Sequence, residues 1–242
     1  MKTILTIAGS DCSGGAGIQQ DLRTITFLHQ YAATAITAIT CQNTLGVQAV
    51  HPVTADILRQ QILSVISDIH LDAVKIGMIP NKVCAEVITE TLCSLSCPIV
   101  YDPVMISTSG TRLMDEDCIQ HIAERLFPLC TLITPNIPEH AVLAPHLLSV
   151  PYLLKGGHAD TKDMTDILYL PDGTTHTFST SKIPSSNLHG TGCCLSSAIA
   201  TYLALGHNLP SAISQAKEIV THAIALASHT TIGHGNGPIL PL

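Results

Sequence analysis

Residues 189–194 read His-Gly-Thr-Gly-Cys-Cys and run straight into a small, apolar stretch. Gly190 and Gly192 allow the backbone to curl so that consecutive N–H groups converge on one point. A helix starting there adds its N-terminal positive field, and the combination is an anion site. Donors of this kind suit phosphoryl transfer, which spreads charge over equatorial oxygens. A thiol in that field is expected to have a lowered pKa, so that Cys193 could accept or polarise a hydroxyl proton. The bland alternative is a small residue at a helix start, pointing into the core. Cys194 must then point elsewhere, because adjacent helical residues lie on different faces. His189 reads as a polar anchor for the loop rather than a base.

Three other stretches carry chemistry. Gly9 to Gly17, GSDCSGGAG, is not a phosphate-binding loop of the Gly-Lys-Ser/Thr kind and is either a plain turn or a close backbone approach to a ligand. In Asn136-Ile137-Pro138-Glu139, the proline fits the first turn of a helix and Glu139 lies near its positive end. That glutamate is either a cap or a carboxylate holding Mg²⁺ beside a phosphate. Lys155-Gly156-Gly157 is either a surface lysine before a turn or a phosphate-stabilising cation.

The elements that must position these groups follow from apolar spacing. Short apolar runs at residues 4–8, 32–40, 74–77, 99–102, 132–134 and 152–155 read as strands. Between them lie helical patterns at 18–28, 57–66 and 81–94, and one starting near Asp115 as N-cap. Residues 167–170 and 174–178 flank Pro-Asp-Gly as a hairpin, and helices near 192–205 and 210–227 close the chain. This rhythm predicts an α/β fold with a mostly parallel central sheet covered by helices on both faces, in a single domain over residues 1–242. Such folds bind ligands at the carboxyl ends of their strands. The polar and glycine-rich stretches all fall there: Gly9-Ser10-Asp11, Gln42-Asn43-Thr44, Gly77-Met78, Asp102-Pro103, Pro135-Asn136 and Lys155-Gly156.

Composition narrows the class. Hydrophobic residues make up 46% and charged residues 12% of the 242, which predicts a large buried core. The net charge of −7, the lack of a basic cluster and the absence of tryptophan argue against nucleic acid as a partner. No apolar run is long enough for a membrane span. The N-terminal run is too short for a signal peptide and reads as a buried strand of a cytoplasmic protein. Nine irregularly spaced cysteines read as reduced, mostly buried thiols, not a zinc site.

Several stretches together resemble one family. LTIAGSDCSGGAGIQQDLRT, AITCQNTLGVQAVHPV, DAVKIGMI, YDPVM, LITPNIPE, LLKGGH, NLHGTGCCLSSAIA and IGHGNGP are similar to the hydroxymethylpyrimidine/phosphomethylpyrimidine kinases of thiamine biosynthesis, within the ribokinase-like superfamily. The resemblance implies a ribokinase-like three-layer α/β/α sandwich, dependence on ATP and Mg²⁺, and a homodimer. It implies two phosphorylations of 4-amino-5-hydroxymethyl-2-methylpyrimidine, first to the monophosphate and then to the diphosphate. By position, Gln42 is matched to pyrimidine recognition, and Ala16, Met78 and Val104 to the pyrimidine pocket. Gly190 to Cys193 match the anion hole, with Cys193 as catalytic base and Thr191 toward the nucleotide. Lys155 and Gly156 match the nucleotide side, Val220 the adenine border, and Asn136 and Glu139 the Mg²⁺ and phosphate motif.

The chain departs from that pattern in places. Cys12 stands where the family usually has proline, Gln20 where it has alanine, Leu188 and Cys194 where it has threonine, and Thr108 where it has lysine. A segment with an extra helix before residue 152 is reduced to Ala144 to Val150, which predicts a fold trimmed on its outer face. Two other functions fit the same motifs: a pyridoxal or pyridoxine kinase, and a catalytically silent pyrimidine-binding regulator.

Overall fold

Apolar runs that lack alternation become strands buried on both faces, and here they form the centre of one sheet. A computed structural model of the chain describes residues 1–106, 110, 113–115, 117–147, 149–156 and 163–240. Thr108 and Gly157 lie outside the described residues.

The strands are β1 (Thr3–Asp11), β2 (Tyr31–Asn43), β3 (Gly46–Pro52), β4 (Ala73–Ile76), β5 (Ile99–Tyr101), β6 (Leu132–Ile133), β7 (Tyr152–Leu154), β8 (Asp163–Tyr169) and β9 (Thr175–Ser181). They pair in the order β3-β2-β1-β4-β5-β6-β7-β8-β9. The inner run from β2 to β7 is parallel, while β3, β8 and β9 join antiparallel at the two edges. The helices are α1 (Gly17–Phe27), α2 (Ala55–Ile66), α3 (Lys82–Leu92), α4 (Asp117–His121), α5 (Ile137–Leu143), α6 (Thr191–Ala204) and α7 (Leu209–Ala227). Side chains of Thr54, Asn81, Asn136 and Asn208 accept first-turn amides and so fix where α2, α3, α5 and α7 begin.

Two apolar layers cover the sheet. On one face Leu58, Ile62, Ile88, Leu126 and Phe127 pack on Leu5, Ile7, Ile76 and Tyr101. On the other, Ile25, Leu195, Ile199 and Ile213 pack on Ile4, Val100, Leu132 and Leu153. This is the expected three-layer α/β/α sandwich.

Three features differ from the sequence reading. The strand β3 was not expected; Gly46–Pro52 has few buried positions because it is an edge strand with one side open. The hairpin strands β8 and β9 are longer than their apolar parts, since pairing continues through exposed threonines and serines. The fourth helix starts at Asp117, two residues beyond the expected cap at Asp115, and continues as a wide turn through Leu126. The shortened segment behaves as predicted: after α5 a single 3₁₀ turn at Ala144–His146 leads into β7, which still pairs parallel with β6. Leu143, Leu147 and Val150 are buried against the core in this short crossover.

The strand order reverses beside β1, with β2 on one flank and β4 on the other. Ligand crevices of open α/β sheets form at such a point, outside the carboxyl ends of the strands.

Helix α2 is held by Leu58 and Ile62, its two buried positions, one turn apart. Leu58→Ala should lower the unfolding free energy by about 2–5 kcal/mol. Ile57→Ala, at a half-exposed position on the same helix, should change it by less than about 0.5 kcal/mol. Urea unfolding of the two variants checks the contrast.

Candidate active site

At the reversal point the loops after β1, β4, β5, β6 and β7 and the start of α6 enclose a cleft of about 850 Å³. Its lining includes Ala16, Gln42, Met78, Val104, Asn136, Glu139, Lys155, Gly190, Thr191, Gly192 and Cys193. Residues matched separately along the sequence are thus brought to one place. Gly156 and Val220 are not part of this lining. The Gly156 amide is already used, donating to Asp166 Oδ1 at 2.9 Å. Val220 packs beside Cys194, Ala223 and Ile239.

Asp11, at the end of β1, builds the first wall. Its Oδ1 accepts from the amide and hydroxyl of Ser13 at 2.8 and 2.7 Å, and its Oδ2 from the amides of Gly15 and Ala16 at 3.0 and 2.8 Å. His189 Nε2 lies 2.9 Å from the same Oδ2. Burial pushes the Asp11 carboxyl up, but hydrogen bonds from His189, Ser13 and Gln42 overcome it and hold the group well below the usual carboxylate range. His189 is thereby tied to the turn after β1. Gln42 Nε2 stands 3.4 Å from His189 Nε2, so the amide assigned to pyrimidine recognition rests on the same network. Cys12 braces it from outside, its thiol meeting the Gln42 carbonyl and amide at 3.1 and 3.2 Å.

The HGTG loop interlocks with this turn. Gly190 has φ 88°, a left-handed conformation, and a Cβ there would stand 1.9 Å from the Gly15 carbonyl oxygen. A Cβ on Gly15 would in turn stand 2.3 Å from His189. Glycine is required on both sides by contact. Gly190 caps α6 without a side chain, so the first-turn amides of Gly192 and Cys193 have no side-chain acceptor from the cap.

The far wall is charged. Lys155 Nζ donates to Asp102 Oδ1 at 2.6 Å, and Thr134 Oγ1 donates to the same oxygen at 3.0 Å. Burial lowers the Lys155 pKa, while Asp102 and Glu139 raise it to a net upward shift, so the lysine stays charged. A Cβ on Gly192 would meet Asp102 Oδ2 at 3.2 Å and Lys155 Nζ at 3.6 Å, so this pair abuts the start of α6. Glu139 and Asn136 form a reciprocal cap: Glu139 N donates to Asn136 Oδ1 at 2.9 Å, and Asn136 N to Glu139 Oε2 at 2.8 Å. The cap reading is correct, and it also places Glu139 at the cleft. Burial pushes the Glu139 carboxyl up to about 7; Lys155 opposes this and Asp102 adds to it.

The two cysteines separate. Cys193 lines the cleft, and Cys194 is buried with Ala223 and Ile239. The expected lowering of the Cys193 pKa is overturned. Burial drives this thiol up to about 12, outweighing the pull of Lys75 and the amide of Gly17.

Sequence reasoning missed a second buried ion pair below the cleft. Lys75 Nζ donates to Asp21 Oδ1 and Oδ2 at 2.9 and 2.8 Å, and both side chains are fully buried. The signal was present: Lys75 interrupts the buried run Ala-Val-Lys-Ile, and Asp21 falls between Ile18 and Ile25 on the apolar face of α1. Among the described residues there is no group of three or more His, Cys, Asp or Glu able to hold a metal ion. No described helix is long and apolar enough to cross a membrane.

The family described as Phosphomethylpyrimidine kinase matches residues 11–240. A Thiamine biosynthesis bifunctional protein ThiED of Geobacter sulfurreducens is 43% identical across 98% of this chain, which spans 51% of that longer protein. A hydroxymethylpyrimidine/phosphomethylpyrimidine kinase of Rhizobium meliloti is 40% identical across 97% of this chain and 95% of its own length. Among solved structures, a phosphomethylpyrimidine kinase from Clostridium difficile 630 superposes with TM-score 0.78 at 38% identity, covering 93% of this chain and 100% of that one. An ADP complex of Bacillus subtilis pyridoxal kinase superposes with TM-score 0.89 at 32% identity, covering 99% and 97%.

Glu139 generates a pH prediction. A carboxyl whose folded pKa is about 7, against an ordinary 4.5, holds its proton more tightly in the folded chain. The stability it contributes is complete below the ordinary value and is lost as pH rises through the folded one. In Mg²⁺-free buffer, the fall in urea midpoint between about pH 5 and about pH 8 should shrink in Glu139→Gln. An unchanged fall would remove Glu139 as its source.

Proposed function

We infer the reaction from one premise: this chain belongs to the phosphomethylpyrimidine kinase family and is a kinase. Its substrate in this reading is 4-amino-5-hydroxymethyl-2-methylpyrimidine, phosphorylated from ATP to the monophosphate and then to the diphosphate. One observation carries the assignment. A single cleft holds the Gln42 amide, an apolar floor of Ala16, Met78 and Val104, the anion hole at Gly190 to Cys193, and Lys155.

The parts divide the work. The Gln42 side chain offers both a donor and an acceptor, which suits an aminopyrimidine edge. Met78 and Val104 supply flat apolar contact for the ring. In this reading the ring is held with its hydroxymethyl turned toward Cys193, which lines the same cleft. The amides at the start of α6 and the Lys155 ammonium face the oxygens of the transferred phosphoryl group, where charge concentrates. Cys193 first gives its own proton to solvent; the hydroxymethyl oxygen then forms the new bond to phosphorus as the bond to ADP breaks, and the hydroxyl proton passes to the Cys193 thiolate. Thr191 lies at the phosphate side of the same helix start.

The residues also fit a nucleotide-borne Mg²⁺. Asp102 and Glu139 are two carboxylates beside one lysine, and the burial strain on Glu139 is the kind a cation relieves. Mg²⁺ is commonly bound by one or two carboxylates together with substrate phosphates, not by an all-protein cage. Glu139 would hold it, oriented by Asn136, whose own oxygen is engaged by the Glu139 amide. When bound, the ion supplies charge neutralisation between the phosphates.

A pyridoxal kinase reading is favoured by one observation, the superposition on the Bacillus subtilis pyridoxal kinase. Product analysis with ATP and each substrate in parallel decides. The pyrimidine should yield monophosphate and then diphosphate; phosphorylation of pyridoxal alone would overturn the assignment. In Cys193→Ala, kcat should fall by roughly 10²–10⁴ with substrate KM largely kept, the span expected for loss of a general base. Full activity in that variant would remove Cys193 as proton acceptor.

A further inference from the structure

Gln42 and His189 stand side by side in the cleft although 147 positions separate them in the chain. Neither is fixed by its own element alone. The pairing of β2 with β3 is irregular between Cys41 and Gln42, and His189 lies in the loop before α6. We propose that Thr44 is a positioning residue for the pyrimidine: through it the C-terminal segment 234–239 holds the β2–β3 tip to the HGTG loop and so sets Gln42 for the ring. The inference rests on the reading of Gln42 as the pyrimidine contact.

The segment meets the two walls in succession. The amides of His234 and Gly235 each donate to Thr44 Oγ1 at 3.2 Å, and the Asn236 amide donates to the Thr44 carbonyl at 2.9 Å. The next residues turn to the other wall. The Gly237 carbonyl accepts from the His189 amide at 3.0 Å, and the Ile239 amide donates to the His189 carbonyl at 3.1 Å. Thr44 is thus gripped by hydroxyl and carbonyl, and His189 by amide and carbonyl. Glycine permits the approach: a Cβ on Gly235 would stand 2.1 Å from the Thr44 carbonyl oxygen, and one on Gly237 would stand 2.1 Å from Asn187 Oδ1. Asn187 anchors the segment below, its Nδ2 donating to the carbonyls of Ala227 and Thr230 at 2.6 and 2.9 Å.

Thr44 is where this grip reaches Gln42, two residues back along the chain. The Gln42 backbone is held from the other side by the Cys12 thiol, 3.1 Å from its carbonyl and 3.2 Å from its amide. Cys12 therefore ties Gln42 to the turn after β1, and Thr44 ties it to the C-terminal segment. The nucleotide side is held by different bonds: Lys155 and Thr134 both donate to Asp102. A change at Thr44 also leaves both bonds between the segment and His189 in place. Loss of the Thr44 hydroxyl must then loosen the pyrimidine wall and leave the phosphate wall seated. A segment that merely stabilised the fold would affect both substrates alike. Small displacements of a substrate-holding group are costly to binding and turnover, which makes the split measurable.

The test pairs steady-state kinetics of the full chain, with ATP and 4-amino-5-hydroxymethyl-2-methylpyrimidine, with hydrogen exchange of the ligand-free protein. Thr44→Val keeps the shape of the side chain and removes its acceptor; Thr44→Ser returns the hydroxyl. In Thr44→Val the pyrimidine KM should rise about fivefold or more, with kcat and the KM for ATP within about twofold. Thr44→Ser should stay within about twofold of the unaltered chain in all three quantities. An unchanged pyrimidine KM in Thr44→Val, an equal rise in both KM values, or a serine variant that behaves like the valine one overturns the proposal. Should Thr44→Val fail to fold cooperatively, Gly235→Ala forces the segment off the Thr44 carbonyl and is judged by the same KM criterion. In the ligand-free chain, amides of the β2–β3 tip should exchange faster in Thr44→Val, and unchanged exchange there overturns the proposal too. Exchange needs no substrate. Failure of the unaltered chain to phosphorylate the pyrimidine would sink the functional reading, and exchange alone then decides whether Thr44 holds the tip.

Discussion

The Asp21 carboxylate is the point on which the site's geometry hangs. It gathers a hydroxyl from β1, an ammonium from β4 and a hydroxyl from α6, all onto one residue of α1. Those four elements meet where the strand order reverses, so one carboxylate sets the spacing of the crevice and the height of the α6 start above it. Taking two charges out of water is costly, and this pair is tolerable only because two hydroxyls satisfy the remaining lone pairs. Removing one partner of such a pair typically costs about 3–5 kcal/mol, because the other charge is left buried and uncompensated. An apolar pair of equal volume could hold the helices as well, but it would not gather hydroxyls from β1 and α6 onto one residue.

Above that hub, the cleft is shaped by backbone meeting backbone. The turn organised by Asp11 and the loop capped by Gly190 touch through glycine, with no room for a methyl group on either side. His189 is pinned to Asp11, and Gln42 bonds the same carboxylate, so the end of β2 and the HGTG loop share one hydrogen-bond network. The C-terminal segment extends it. Thr44, two residues after Gln42, accepts amides from His234 and Gly235, and the His189 amide donates to the Gly237 carbonyl. The terminal Gly-His-Gly-Asn-Gly-Pro stretch is therefore a strap that ties the β2–β3 tip to the HGTG loop.

Much of this was legible in the chain. The parallel sheet followed from unalternating apolar runs, and the site followed from polar or glycine residues at successive strand ends. What escaped was set by long-range contact. Edge strand β3 carries little apolar pattern because one of its sides faces water, so pairing, not burial, defines it. The Cys193 pKa was misjudged because a helix start announces itself locally, whereas burial of the thiol depends on α1 and β4, distant in sequence. Lys75 and Asp21 were visible as charges on buried faces, but only the fold shows that they meet. Gly156 looked like a phosphate contact, and its amide belongs to Asp166, which also holds Lys217 of α7.

The charge arrangement of the cleft carries the last step of the reasoning. Lys75 is matched by Asp21, and Lys155 by Asp102, so each lysine arrives already neutralised. Glu139 is left over, buried and driven toward its protonated form. A nucleotide phosphate entering alone would meet two compensated cations and one surplus carboxyl, an unfavourable setting for more negative charge. A divalent cation carried by the nucleotide would reverse the balance: Glu139 would hold it in ionised form, and the first-turn amides of α6 and Lys155 would serve the phosphate oxygens. In the proposed reading the cleft suits a metal–nucleotide complex better than either component by itself.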